Sequence, residues 1–456
     1  MSNLLSSLSS AANSMSSYEK AIEVVQNNTV NANTPGYVRQ TVTFEALPFS
    51  VQGALSGGVR TSELTSSRDE YSEHNVQLQQ TALSLSSTVA SHLSAIEPTF
   101  DLQSATGVAG SINTLFSSFS QLTVSPNDAQ ARQSVISAAS GLANAFNIAA
   151  QNIEGAKTSV DQDTRSTVTD INKVVADIQR LNVERRRDSQ AGSDPGLDAQ
   201  LHNDLETLSQ YVGFTTIQSQ DSTVNVYLGG QKPLLIGTTQ YSISAQTGSG
   251  ATTILDSNGN DITSYVSGGQ LAGLLQVKNN ILPGYSSQLD QLASGLADAV
   301  NTQLASGVDK SGNPGQPLFS YNGTAPAKTL SVTSITANGI AAASASNPGG
   351  SDNAVSLSKT QNTTIAALGG FTATQFYGSL SSMVGRDISN AQNDQTTQLQ
   401  LLAQAKSIRA DQSGVSLDEE AARLVEYQKA YDATSKLISI INDMTQTLMG
   451  LIPTAG

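Results

Sequence analysis

Both ends of the chain carry the repeat of a coiled-coil helix. Near the N-terminus, apolar residues alternate at spacings of four and three, at Leu4, Leu8, Ala11, Met15, Tyr18, Ile22 and Val25. Near the C-terminus, the same alternation runs through Leu424, Tyr427, Tyr431, Thr434, Ile438, Ile441, Thr445 and Leu448. This spacing places a narrow apolar seam on a helix, and such a seam is buried only against a partner helix. We therefore predict that the two terminal helices pair with each other or with neighbouring subunits.

The larger side chains of the two seams form the predicted assembly interface. Serine and asparagine fill most of the other N-terminal positions, and both are weak helix formers, so burial of the seam must stabilise this helix. The interface residues are Leu4, Leu8, Met15, Tyr18, Ile22, Val25, Leu424, Tyr427, Tyr431, Ile438, Ile441 and Leu448.

The fold class predicted for the whole chain is α+β, mainly α. Apolar stripes at helical spacing predict a long bundle of helices over residues 78–212. Within it, Ser125 is predicted to cap one helix, with its buried face over residues 131–153, and a separate helix is predicted over residues 168–181. Asp194 and Pro195 are predicted to open the next helix. The helical stretch over residues 271–304 is predicted to be kinked or broken at Pro283.

Two segments predict β-structure. Residues 223–228 alternate between polar and apolar, and Gly229 and Gly230 follow, which predicts a β-hairpin within the bundle. Residues 311–361 are rich in Gly, Ser, Thr, Ala and Asn with short β-like runs, which predicts a small β-rich insert.

These patterns predict three domains. The first is a terminal coiled-coil assembly domain, made of residues 1–40 and 412–456. The second is a helical core domain, made of residues 41–310 and 366–411. The third is a small β-rich outer insert over residues 311–365.

Composition excludes several function classes. The net charge is −14, and such an acidic chain repels nucleic acid and anionic lipid. The chain has no Cys, which excludes disulfides and thiol catalysis. Its N-terminus lacks the basic and apolar regions of a cleavable signal peptide, and no apolar run is long enough to insert in a membrane.

No constellation of catalytic, cofactor-binding or metal-binding residues stands out. His74, His92 and His202 each lack a second ligand at metal spacing, so surface or packed histidines are favoured. Asp256, Asn258 and Asn260 begin like a calcium loop, but Asp261 stands where that loop needs Gly, which favours a polar turn. We therefore predict a protein that is not an enzyme and has no cofactor.

Two sequence signatures resemble those of a known family. Residues 31–40, Asn-Ala-Asn-Thr-Pro-Gly-Tyr-Val-Arg-Gln, follow the N-terminal helix, and they resemble the signature of flagellar rod, hook and junction proteins. Residues 413–420 and 427–431 are similar to the C-terminal signature of that family. Interior residues, among them 126–147, 223–230 and 282–301, resemble the hook-associated protein 1 family. The signature turn consists of Asn33, Thr34, Pro35, Gly36 and Tyr37.

The resemblance implies a function, a location and a set of partners. It implies a structural subunit at the junction between hook and filament, outside the cell, exported through the flagellar type III channel. The partners it implies are further copies of the chain in a ring on the hook tip, the hook protein and a second junction protein. A cytoplasmic export chaperone is expected on the C-terminal helix, whose apolar stripe suits a groove.

Three other interpretations remain open. A hook or distal-rod subunit is the nearest, although the helix-rich interior argues against it. A wall hydrolase would need catalytic residues that the sequence does not present. A secreted adhesin is less economical, because heptads occupy both ends of the chain.

Overall fold

The computed structural model describes residues 2–48, 57–187 and 194–450. Its helices are α1 (Ser2–Asn31), α2 (Glu70–Ile96), α3 (Val108–Val124), α4 (Ala129–Arg187), α5 (Pro195–Tyr211), α6 (Gly269–Gln276), α7 (Leu282–Ala305), α8 (Pro326–Thr329), α9 (Asp352–Lys359), α10 (Ala373–Ser413) and α11 (Leu417–Gly450). Its strands are β1 (Gln40–Ala46), β2 (Val59–Ser66), β3 (Phe214–Gln218), β4 (Val224–Leu228), β5 (Lys232–Ile236), β6 (Thr239–Gln240), β7 (Ser244–Gln246), β8 (Thr253–Leu255), β9 (Phe319–Ser320) and β10 (Ser331–Val332). The predicted α+β, mainly α class is confirmed.

The chain forms two compact units. Unit 1 consists of residues 1–81, 171–242 and 399–456, and unit 2 of residues 82–170 and 243–398. The two units do not coincide with the three predicted domains, which stay a prediction. Residue 1 and residues 451–456 of the predicted terminal domain lie outside the described residues.

Unit 1 combines the two terminal helices with two antiparallel sheets. Helix α1 packs on α11 and on the hairpin formed by β1 and β2. The second sheet has the strand order β3-β4-β5-β6. Gly229 and Gly230, with φ of +53° and +72°, turn β4 into β5, so the predicted hairpin is present and belongs to a larger sheet.

Unit 2 is built around one large aliphatic and aromatic core. Helices α3, α4, α7 and α10 contribute to it, as does the segment over residues 311–365. In that segment the paired strands β9 and β10 have two residues each, and its short helices α8 and α9 pack on α7. Core residues from these parts are Phe116, Phe119, Phe146, Leu289, Leu330, Ile340, Leu357 and Leu380.

Helix α4 corrects two details of the sequence-based prediction. It is one continuous helix of 59 residues, where two were predicted, and it begins at Ala129 rather than after Ser125. Asp128 accepts a hydrogen bond from the Gln130 backbone N–H at 2.6 Å, as an N-cap residue does. Thr164, between the two predicted helices, is fully buried. Its hydroxyl donates to the Val160 carbonyl of the same helix, so this polar side chain has a partner and the buried face of α4 continues through it.

The predicted break near Pro283 is a change of helix type. A π-helical turn over Val277–Ile281 joins α6 to α7, and Pro283 lies in the first turn of α7. Lys278 in this turn is buried and forms an ion pair of 2.6 Å with Asp161. Thr252 donates to the other carboxylate oxygen at 2.8 Å, so the buried charges have partners.

Candidate assembly interface

The two predicted seams meet along α1 and α11. Asn28, near the end of α1, contacts Glu420, near the start of α11, so the two helices run antiparallel. Val25 and Ile441 are buried at the contact. Half-buried residues beside them are Leu4, Leu8, Met15, Tyr18, Ile22, Leu424, Tyr427, Tyr431 and Ile438. Leu448 is the exception, since it remains 40% exposed.

An aromatic residue absent from the predicted interface bridges the two seams. The Phe44 ring on β1 lies 5.3 Å from the Tyr18 ring and 5.6 Å from the Tyr427 ring, measured between centroids. Tilted and edge-to-face contacts at this distance favour association beyond simple burial. The hairpin therefore supports the helix pair at this point.

Serines of α1 form a second contact face that sequence reasoning missed. Ser10, Ser14 and Ser17 lie at helical spacing and face the outer edge of β2. The hydroxyl of Ser10 donates to the Gly57 carbonyl at 2.8 Å, and the hydroxyls of Ser14 and Ser17 accept from the backbone N–H groups of Val59 and Thr61, each at 3.1 Å. These bonds satisfy groups that an edge strand otherwise leaves unpaired.

The signature turn changes the direction of the chain after the end of α1. The Tyr37 N–H donates to the Thr34 carbonyl at 3.1 Å, and Gly36 has φ of +76°, as the third residue of a type II turn requires. A Cβ at Gly36 would lie 2.3 Å from the Ala199 carbonyl oxygen, so the close approach also requires glycine. Asn33, Thr34 and Pro35 are exposed.

The two family signatures meet in a polar joint within unit 1. The amide of Asn28 donates to Glu420 at 2.9 Å and to the Gln40 carbonyl at 2.8 Å, and it accepts from the Gln40 N–H and the Tyr37 hydroxyl, both at 2.9 Å. Burial and the nearby Glu420 carboxylate raise the pKa of Tyr37 to about 12, so its hydroxyl stays protonated and donates. Arg39 reaches both Glu419 and Glu420, at 2.9 and 3.0 Å.

The sequence Ser416-Leu417-Asp418-Glu419 predicts a capping box at the start of α11, with Ser416 as N-cap and Glu419 reaching back, and the structure corrects this prediction. Helix α11 does begin at Leu417, after Ser416. The Glu419 N–H lies 3.5 Å from the Ser416 hydroxyl, but the Glu419 carboxylate pairs with Arg39 instead of returning to the Ser416 backbone. The ion pair with Arg39 therefore takes the place of the local contact that a capping box would make.

A network of ion pairs lies beside the signature turn. Arg68 donates to the Gly36 carbonyl at 2.7 Å and to Asp198 at 2.8 Å, and it also pairs with Glu73. Arg409 bridges Glu73 and Glu206, at 3.1 and 2.8 Å. The network therefore connects the turn with residues of α2, α5 and α10.

His202 makes this network sensitive to acid. Burial and the nearby Arg68 lower the pKa of His202 to about 4, although Asp198 and Glu73 oppose the shift, and Arg185 adds to it. Because the folded pKa lies below the unfolded value, the contribution of His202 to stability is complete above about pH 6.5. It falls at lower pH as the unfolded chain takes up a proton.

We expect the free energy of unfolding to fall by about 2 kcal/mol at pH 5 because of His202. The free energy of unfolding in urea, measured at pH 7.5 and pH 5 for the protein and for His202→Gln, should differ less between the two pH values in the variant. An equal difference in both proteins would contradict this prediction.

The metal-ligating residue types form no metal site within the described part of the chain. No group of three or more His, Cys, Asp or Glu side chains in these ranges could hold a metal ion. The Asp256 carboxylate accepts from the N–H groups of Asn258 and Asn260, each at 2.9 Å, so it closes its own loop. None of the described helices has the length and apolarity needed to span a bilayer.

Helix α11 also carries an apolar stripe that the helix pair leaves uncovered. The stripe consists of Leu437, Ile440, Met444 and Leu448, which are between 40% and 57% exposed. Their spacings of three, four and four put them on one face of the helix. An exposed face of this kind is typical of a surface that meets another chain.

Two families match different parts of the chain. The flagellar hook-associated protein FlgK helical domain matches residues 93–319. The C-terminal domain of the flagellar basal body rod FlgEFG proteins matches residues 410–451, which include the start of α11 and its stripe. The matches together span both units.

Two whole proteins and one solved structure are also similar to this chain. Flagellar hook-associated protein 1 of Bacillus subtilis strain 168 is 23% identical over the full length of both chains. The protein of the same name from Salmonella typhimurium is 29% identical over 73% of this chain, and the chain covers 63% of that relative's length. The structure of the flagellar hook junction protein FlgK from Burkholderia pseudomallei is similar to this chain, with a TM-score of 0.65. The two sequences are 18% identical, and the match covers 73% of this chain and 99% of the Burkholderia chain.

Proposed function

Because this chain belongs to the flagellar hook-associated protein FlgK family, we propose that it serves the bacterial flagellum as a structural subunit between hook and filament. The observation that carries this proposal is the combination of two matches in one chain. The C-terminal helix matches the rod proteins, and the helical interior matches the hook-associated protein. Its role is mechanical rather than catalytic.

The paired terminal helices are the proposed assembly element. Pairing buries one seam within the subunit, and the exposed stripe of Leu437, Ile440, Met444 and Leu448 remains available for a neighbouring copy. Each subunit in a ring on the hook tip would use different faces toward its two neighbours. The three predicted domains stay part of this proposal, with the terminal domain as the assembly element.

The other partners follow from the family. We propose that the hook protein binds below the ring and a second junction protein binds above it. Before assembly, a chaperone would cover the apolar face of α11, which suits helix-in-groove recognition. Export through the flagellar type III channel is proposed as the route.

The nearest alternative is a hook or distal-rod subunit. The C-terminal match is compatible with it, because that domain takes its name from basal body rod proteins. The hook-associated helical domain, matched over residues 93–319, favours the junction instead.

Immunogold electron microscopy tests the proposed location. Antibodies against unit 2 should label one narrow zone at the distal end of the hook, where the filament begins. Cells lacking the gene provide the control for antibody specificity. Label along the whole hook would support the hook-subunit alternative, and label along the filament or only in the rod would contradict the proposal.

A further inference from the structure

One carboxylate interrupts the apolar seam of α11. Glu420 lies four residues before Leu424, so it continues the seam by one position toward the N-terminus of α11. It is 1% exposed, as is Asn28, its partner on α1. The other seam positions of α11, named above, carry aliphatic side chains, tyrosines or threonines. Glu420 is therefore the single charged residue of that seam.

The carboxylate is held in place by two groups of the N-terminal segment. Asn28 donates to one carboxylate oxygen at 2.9 Å. Arg39 lies 3.0 Å from the other, close enough for an ion pair but not aligned as a hydrogen bond. Asn28 is itself fixed by the backbone of Gln40, so it presents its amide in one position.

The apolar residues of the two seams distinguish poorly between the observed register and one shifted by a heptad. Both seams repeat every seven residues, so sliding α11 by one heptad again places apolar residues opposite each other. The slide moves α11 by about 10 Å, at 1.5 Å per residue. In one direction Glu420 would then lie beside Ala21, which is fully buried, with no partner for its charge.

We infer that Glu420, paired with Asn28, sets the register of the terminal helix pair. In the observed register the buried carboxylate has its partners, and in a slipped register it does not. A single polar residue in a coiled-coil seam is known to select register in this way. Glu420 is thus a positioning residue, and it fixes the position along the helix axis at which the outward face of α11 is presented for assembly. The inference concerns the isolated chain, so it stands or falls independently of the proposed function.

Spin-label distances in the full-length protein test this inference. The chain has no Cys, so labels attach only at introduced ones. Ala12→Cys on α1 and Gln428→Cys on α11 both lie at exposed positions. Pulsed electron spin resonance should give one narrow distance distribution in the otherwise unchanged chain. With Glu420→Leu, a second population should appear, from helices displaced by about 10 Å along their axis.

Glu420→Gln is the matched control, because it keeps the shape and an oxygen for Asn28 but removes the charge. It should retain the single narrow distribution. A single unchanged distribution in Glu420→Leu would overturn the inference, and would mean that the contacts of Ser413 with Arg39 and Asp69 fix the register alone. If Glu420→Leu unfolds the helix pair, its circular dichroism will fall. The inference then rests on Asn28→Asp, which should lose the native distance while Asn28→Gln retains it.

Discussion

Replacing Arg132 with Met should destabilise unit 2 by about 3–5 kcal/mol. Arg132 is 2% exposed, and its guanidinium donates to backbone carbonyls of two different segments. It reaches Pro126 at 2.6 Å, Ile340 at 2.6 Å and Ala337 at 3.3 Å. Methionine fills a similar volume but donates nothing, so these buried acceptors lose their partner.

The free energy of unfolding in urea, compared between the purified protein and the variant, measures this loss. Hydrogen exchange of the backbone amides of residues 337–343 shows whether the segment contacted by Arg132 is the one that loosens. Arg180→Met is the matched control, because Arg180 lies on the same helix α4 but is 65% exposed and forms an ion pair with the nearby Asp177. An exposed pair of this kind contributes at most about 1 kcal/mol. A loss below 1 kcal/mol for Arg132→Met would contradict the role given to the buried guanidinium.

The sequence predicts the helices well because their burial is periodic. The two seams, the hairpin at Gly229 and the helix start at Asp194 each depend on residues close together in the chain. Asp194, for example, accepts from the N–H groups of Gly196 and Leu197 at 2.7 and 3.0 Å. Local spacing and turn chemistry are sufficient to predict such features.

The polar contacts of the interface were less predictable. Ser10, Ser14 and Ser17 looked only like weak helix formers, but their spacing at i, i+4 and i+7 was a signal for a second contact face. By sequence alone, Glu420 is one of three acidic residues in the first turn of a helix, and nothing local reveals that Asn28 lies opposite it, 392 positions away in the chain. The partners of such groups depend on the tertiary fold.

Buried polar residues also explain the misread boundaries. Thr164 is a polar residue in the stretch between the two helices predicted within α4, and nothing local in the sequence shows that Arg132 is buried. Each is buried because its polar atoms reach backbone carbonyls: Thr164 in its own helix, and Arg132 in a loop 208 positions away. A hydrophobic pattern alone cannot identify such sites.

A charge in the seam should abolish assembly and leave unit 2 folded. Ile441 is 6% exposed on α11, and an aspartate there would bury a carboxylate without a partner. The core of unit 2 contains no residue of α11, so Ile441→Asp should retain the circular dichroism and urea unfolding of that core. Ser439→Asp adds the same charge at an exposed position of α11 and is the matched control.

Electron micrographs of flagella on cells that carry each variant as the only copy show whether the helix pair is needed for assembly. With Ile441→Asp, we expect hooks of normal length without filaments, and the soluble variant in the culture medium. With Ser439→Asp, we expect filaments as on unaltered cells. Normal filaments on cells carrying Ile441→Asp would contradict the claim that the paired terminal helices hold this subunit at the junction between hook and filament.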